Sequence, residues 1–137
     1  MSPLPLRLEP GQDLRRALED AAAALGSAFV VCGIGSLVNP TLRLAGAAAQ
    51  TSLEGDFEIL SLAGTITPQG AHLHMAVAGR DGRVVGGHVC HGNRVRTTAE
   101  VLLVRADGWE LARELDPATG YRELVAKPAA KGQVDAA

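Results

Sequence analysis

Residues 71–78 (AHLHMAVA) and 84–89 (VVGGHV) are two alternating runs joined by Gly79-Arg80-Asp81-Gly82-Arg83. Each run reads as a strand, and the short Asp-Gly link reads as a hairpin loop. The loop's length governs the rest, because a slip of one residue sends every side chain to the opposite face. A two-residue Asp81-Gly82 turn pairs Met75 with His88 and mixes valines with histidines. A three-residue Arg80-Asp81-Gly82 loop, with Gly82 at the left-handed third position, pairs His74 with His88 and Ala78 with Val84. Under that register Leu73, Met75, Val77, Val85 and Val89 share one face, and His72, His74 and His88 share the other. The clean segregation selects the three-residue loop. Three imidazoles then converge on a face otherwise lined by Ala76, Ala78 and Gly86, which leaves room for a guest.

Such a hairpin needs a core to lie on. A chain of 137 residues, 47% hydrophobic and 20% charged, is a single globular domain able to bury one. Only 3% is aromatic, so leucine, valine and alanine must fill it. A net charge of −2 leaves no basic footprint for a polyanion, and the chain alone is expected to bind DNA weakly or not at all. Cys32 and Cys90 sit in apolar runs without CxxC spacing and are expected to be buried free thiols. The N-terminus lacks a basic region followed by an apolar one, and no apolar run is long enough to span a bilayer. The cytoplasm is the expected compartment, with no membrane contact.

In chain order, PLRLE near the start alternates as a short edge strand, and Pro10-Gly11 breaks it. Asp13 is a helix N-cap, and Leu14, Ala17, Leu18, Ala21, Ala22 and Leu25 recur at helical spacing until Gly26. Arg15, Arg16, Glu19 and Asp20 read as that helix's solvated face. Residues 28–38 (AFVVCGIGSLV) form a buried strand bent at Gly33 or Gly35. Gly33-Ile34-Gly35-Ser36 lacks the third glycine, the lysine and the following helix of a phosphate loop. Thr41 to Ala45 continues as a strand, and residues 46–54 link to a long strand ending at Thr67. Val95 to Arg105 alternates as another strand. Trp109, Leu111 and ARELDPATGYREL predict a final edge strand and a turn. The expected architecture is α+β: a largely antiparallel sheet of about seven strands with one main N-terminal helix. The domain spans residues 1–126, and a mobile tail is expected over 127–137.

The blocks GIGSLVNPTLRLA, GDFEILSLAGTI, HLHMAVAGRDGRVVGGHV, VRTTAEVLLV and RELDPATGYREL occur in this order from about Leu6 to Val125. In order and spacing they resemble the domain conserved in plants and prokaryotes, known as the PPC domain, in its stand-alone prokaryotic form. The resemblance implies an antiparallel sheet packed with a helix, and a homotrimer. In plants the domain follows AT-hooks, and a strand with an Arg-Phe-Glu motif contacts partner proteins. The motif maps onto Asp56, Phe57 and Glu58, with aspartate in place of arginine, so Phe57 and Glu58 become partner-contact candidates. No Arg-Gly-Arg-Pro hook occurs in this chain. The DNA-binding label carried by prokaryotic members is therefore an analogy from a segment absent here.

Neutral imidazoles are common ligands for zinc and related divalent ions, and three of them leave a fourth position open. His72, His74 and His88 are thus the candidate metal ligands, against the alternative that they hydrogen-bond across an interface without metal. His91 falls on the apolar face and reads as a strand-end residue. Glu100 and Arg96 are read on the next strand, where Glu100 would orient a histidine or act as a base, or the two would pair at a subunit contact. No serine or cysteine has a nucleophile's setting. The leading reading is a trimeric regulatory or interaction module with a histidine-lined metal or small-ligand site, more a binding protein than an enzyme. A small metal-dependent enzyme or metal-liganded sensor is the alternative.

Overall fold

The computed structural model describes residues 2–130. The chain runs β1 (Pro3–Leu8), α1 (Leu14–Ala23), β2 (Ala28–Val38), β3 (Thr41–Arg43), β4 (Thr51–Ser52), β5 (Asp56–Thr67), β6 (Gly70–Ala78), β7 (Val84–Val89), β8 (Arg94–Arg105), β9 (Trp109–Leu115) and β10 (Arg122–Pro128). Eight strands form one antiparallel sheet in the order β1-β8-β2-β5-β6-β7-β3-β4, and β9 and β10 pair separately. The α+β class holds. The expected count of about seven strands rises to ten among the described residues, because the short β4 lies within the expected link and the last segment folds back as a hairpin. The tail expected from Lys127 begins inside β10, and residues 131–137 lie outside the described residues.

Asp13 caps α1 by accepting from the Arg16 backbone N–H at 3.0 Å, which satisfies one of the open donors of the first turn. Leu14, Leu18 and Ala22 are buried and cover one face of the sheet. Under them lie Val30, Leu62, Ile66, Leu73, Met75, Val77, Val89, Val101 and Leu103, all at most 4% exposed. This is the apolar face that the alternation demanded, built from aliphatic side chains.

No helix among the described residues covers the opposite face. Phe29, Val31, Ile34 and Leu60 stand 39%, 52%, 56% and 52% exposed there or at its bulges. Cys32 is exposed too, against the expectation of burial, whereas Cys90 is half-buried; both are free thiols. The cause is a register irregularity between Val30 and Cys32, which sets Cys32 opposite Leu102 on the uncovered side. No helix among the described residues is long and apolar enough to cross a membrane.

Candidate metal centre

The β6–β7 hairpin closes through the three-residue loop. Gly79 N–H donates to the Arg83 carbonyl at 3.0 Å, and Gly82 takes φ of 78°, a conformation glycine adopts without penalty. Asp81 Oδ1 accepts from the Arg83 N–H at 3.0 Å and stiffens the bend. The resulting register pairs His74 with His88 and Ala78 with Val84. His72 lies two residues back on the same face.

The three rings meet. Their centroids are 5.0, 5.0 and 5.7 Å apart, and one nitrogen from each lies within 4.8 Å of the others. His72 Nε2 and His74 Nε2 are 3.3 Å apart. Two ligands about 2.0–2.1 Å from a tetrahedral ion stand roughly 3.3 Å from each other, so this pair already has a chelate's spacing. Two facing nitrogens need a shared proton or a shared cation, because two lone pairs repel. Ala63, opposite His74 on β5, leaves the approach open.

Burial lowers the His88 pKa to about 4, aided by the charges of His72, Arg43, Arg15 and His74. Burial likewise lowers that of His72, with Arg113, His74 and Arg15 acting in the same direction and Glu123 opposing. Both rings are therefore neutral near pH 7, the state a metal ligand requires.

Glu100 and Arg96 stand elsewhere. They lie on β8, which β2 and β5 separate from β6, because β8 returns to pair between β1 and β2. Arg96 pairs with Asp56 at 2.9 Å, and Glu100 lies opposite Arg7 and Ile34. Neither meets the triad within one chain. Phe57 lines a groove of about 750 Å³ with Leu53, Arg83 and Val85, away from the histidines, and Glu58 is exposed.

The triad's neighbours include residues of β3, β5, β9 and α1. Arg43 of β3 lies directly opposite His88, and Thr65 of β5 directly opposite His72. Arg113 of β9 donates to Thr65 Oγ1 from its guanidinium and to Gln69 Oε1 from its backbone at 3.2 Å. Arg15 donates to the Val89 carbonyl at 3.1 Å. Glu19 accepts from Arg15 and from the Ala71 N–H, both at 3.0 Å, and lies 3.0 Å from His91 Nε2. Arg15 and Glu19 are thus a lock between helix and sheet, correcting their reading as a solvated face. His91 belongs to that lock and not to the triad.

A helix-backed antiparallel sheet with three clustered histidines on its open face defines a small α+β domain with one group of potential metal ligands among the described residues. The chain belongs to the Plants and Prokaryotes Conserved (PCC) domain family, which matches residues 1–107. It is 36% identical to a hypothetical protein from Salmonella cholerae-suis, with a TM-score of 0.89 over 93% of this chain and 94% of that one. A metal-containing protein from Archaeoglobus fulgidus is 27% identical, with a TM-score of 0.79 over 91% and 94% of the two chains. Bifunctional protein GlmU of a Synechococcus strain is 47% identical over 122 residues, 88% of this chain and 20% of that protein. The chain thus spans about a fifth of the length of this relative and of a GlmU from a second Synechococcus strain.

Proposed function

We propose that this domain is a self-associating metal-binding module in which His72, His74 and His88 hold one divalent ion, zinc or a similar transition metal. The observation that carries this reading is the convergence of three imidazole nitrogens within 4.8 Å on an open face. The similarity to a protein described as metal-containing supports it. A bound ion would supply a Lewis-acidic fourth position for an exogenous ligand. The chain's own residues set that position: the hairpin loop fixes the register, Arg113 anchors the β9–β10 hairpin beside His72, and Ala63 keeps the approach clear.

The uncovered apolar face supports a homotrimer, the assembly implied by the family resemblance, with Glu100 and Arg96 available at subunit contacts. Phe57 and Glu58 remain the candidates for contacts to other proteins. Direct DNA binding ranks last, since a net charge of −2 neutralises few phosphates. A small metal-dependent enzyme is the second reading, favoured by a carboxylate, Glu123, close enough for its charge to act on His72.

Elemental analysis of tag-free protein tests the proposal. About one ion per chain is expected, and it should be lost in His88→Ala. Protein that takes up no divalent metal after exposure to zinc would overturn the reading and leave the triad a hydrogen-bonded cluster.

A further inference from the structure

We infer that the ligand completing this centre is a small oxyanion, a carboxylate or phosphate group gripped between Arg43 and Arg113. The inference rests on the metal reading above and adds the chemistry of the guest. In an antiparallel pair, directly opposed residues project from the same face, so Arg43 rises beside His88. At the other end Arg113 reaches Thr65, the residue opposite His72. Two guanidiniums therefore bracket the three imidazoles.

Their charges are poorly compensated. Arg15, the third cation nearby, is matched by Glu19 at 3.0 Å. Arg43 makes no ion pair among the described residues and is exposed, free to fold over a guest. Arg113 spends its guanidinium on a neutral hydroxyl. Against them stands Glu123, which acts on His72. Three neutral histidines cancel none of a divalent ion's charge, so a loaded site is strongly positive. Guanidinium forks match carboxylate and phosphate oxygens with paired hydrogen bonds, which a neutral or cationic guest cannot reciprocate. The guest's oxygen would take the open position on the ion, and its remaining oxygens would face the arginines.

The test uses the whole chain loaded with cobalt(II), whose visible bands report changes at the ion. Inorganic phosphate and oxalate are titrated separately. A saturable spectral change with either anion is expected, and which one responds distinguishes a phosphate from a carboxylate guest. Arg43→Gln, an exposed position, should weaken anion binding about tenfold while cobalt affinity does not fall, since a cation beside the ion is removed. Arg113→Gln should also weaken anion binding, and Glu123→Gln should strengthen it severalfold by removing repulsion. No response to either anion, or equal affinity in Arg43→Gln, overturns the inference. If the wild-type chain takes no cobalt, the metal reading fails separately, and phosphate binding is measured calorimetrically on metal-free protein. Binding that depends on Arg43 would then sustain the anion site, and none would overturn it.

Discussion

His88 couples the fold to acid. Its folded pKa is pushed down to about 4, first by burial and then by His72, Arg43, Arg15 and His74, from an ordinary value of 6.5. Between those values the unfolded chain binds a proton that the folded chain refuses, so stability falls as pH drops from about 6.5 to about 4. Below that range this group takes nothing more away. Metal occupancy should fall on acidification as well, since ligand nitrogens must be unprotonated. Equilibrium dialysis against zinc should show tight binding at pH 7 and release as the pH approaches 4. His88→Ala should abolish uptake, and His91→Ala should leave it nearly intact. Glu19 acts in the same direction by a different route. Burial alone would raise its pKa, but hydrogen bonds from His91, Ala71 and Arg15 outweigh it and hold the carboxyl below its usual value. Its contribution is present above the unfolded pKa and is lost as pH falls through the lowered one. Glu19→Ala leaves the Ala71 N–H and Arg15 without their acceptor. The expected loss is about 1.5–3 kcal/mol, read from urea unfolding at pH 7.

At the scale of elements, the β6–β7 hairpin carries the site, and its loop length sets which side chains can meet. Deleting Arg80 leaves Asp81-Gly82, a favourable two-residue turn, so the strands should still pair. Gly79 and Arg83 would still close that turn, so His74 stays opposite His88 and the histidine face is kept. Retained zinc binding is expected, checked by dialysis and by amide exchange of β6 and β7. Loss of binding with the hairpin preserved would mean that the chain keeps a three-residue loop, Gly79-Asp81-Gly82, which pairs His74 with Gly87 and turns His88 to the core. This register was legible in the residues because both strands are contiguous in sequence and one face is wholly apolar. The place of β8 was not legible. It follows β7 in the chain yet pairs with β1 and β2, a long-range choice that alternation does not encode, and Glu100 was therefore set beside histidines it does not reach. Arg43 escaped notice because β3 has only three residues, too few for a periodic pattern. Arg15 and Glu19 looked solvated because helical spacing describes the helix alone, whereas their partners are main-chain groups of Ala71 and Val89. The final segment showed its turn residues, but the docking of its hairpin through Arg113 and Thr65 depends on a contact 48 residues apart.

For the whole molecule, the asymmetry of the sheet is the governing fact. One face is sealed by α1, and the other exposes Phe29, Val31, Ile34 and Leu60. Soluble monomers rarely leave large contiguous apolar patches in water, so this face suits a partner, and in the homotrimer proposed above that partner is further copies of the chain. Light scattering should give the mass of a trimer at micromolar concentration, and a stable wild-type monomer would refute this. Ile34→Asp is the discriminating variant. Ile34 is 56% exposed in the single chain, so an aspartate there disturbs little packing within it, and its repulsion from Glu100 directly opposite costs under about 1 kcal/mol. Buried at a subunit contact, the same carboxylate would lose its hydration without gaining a partner, and association should weaken by several kcal/mol. The variant should be a folded monomer by scattering and circular dichroism. Its zinc content then tells how the site is built. His72, His74 and His88 stand on β6 and β7, away from Ile34 on β2, so a triad complete within one chain keeps its ion in the monomer. Loss of zinc on dissociation would instead mean that a neighbouring copy supplies a fourth ligand. A variant that stays trimeric would place the interface off this face.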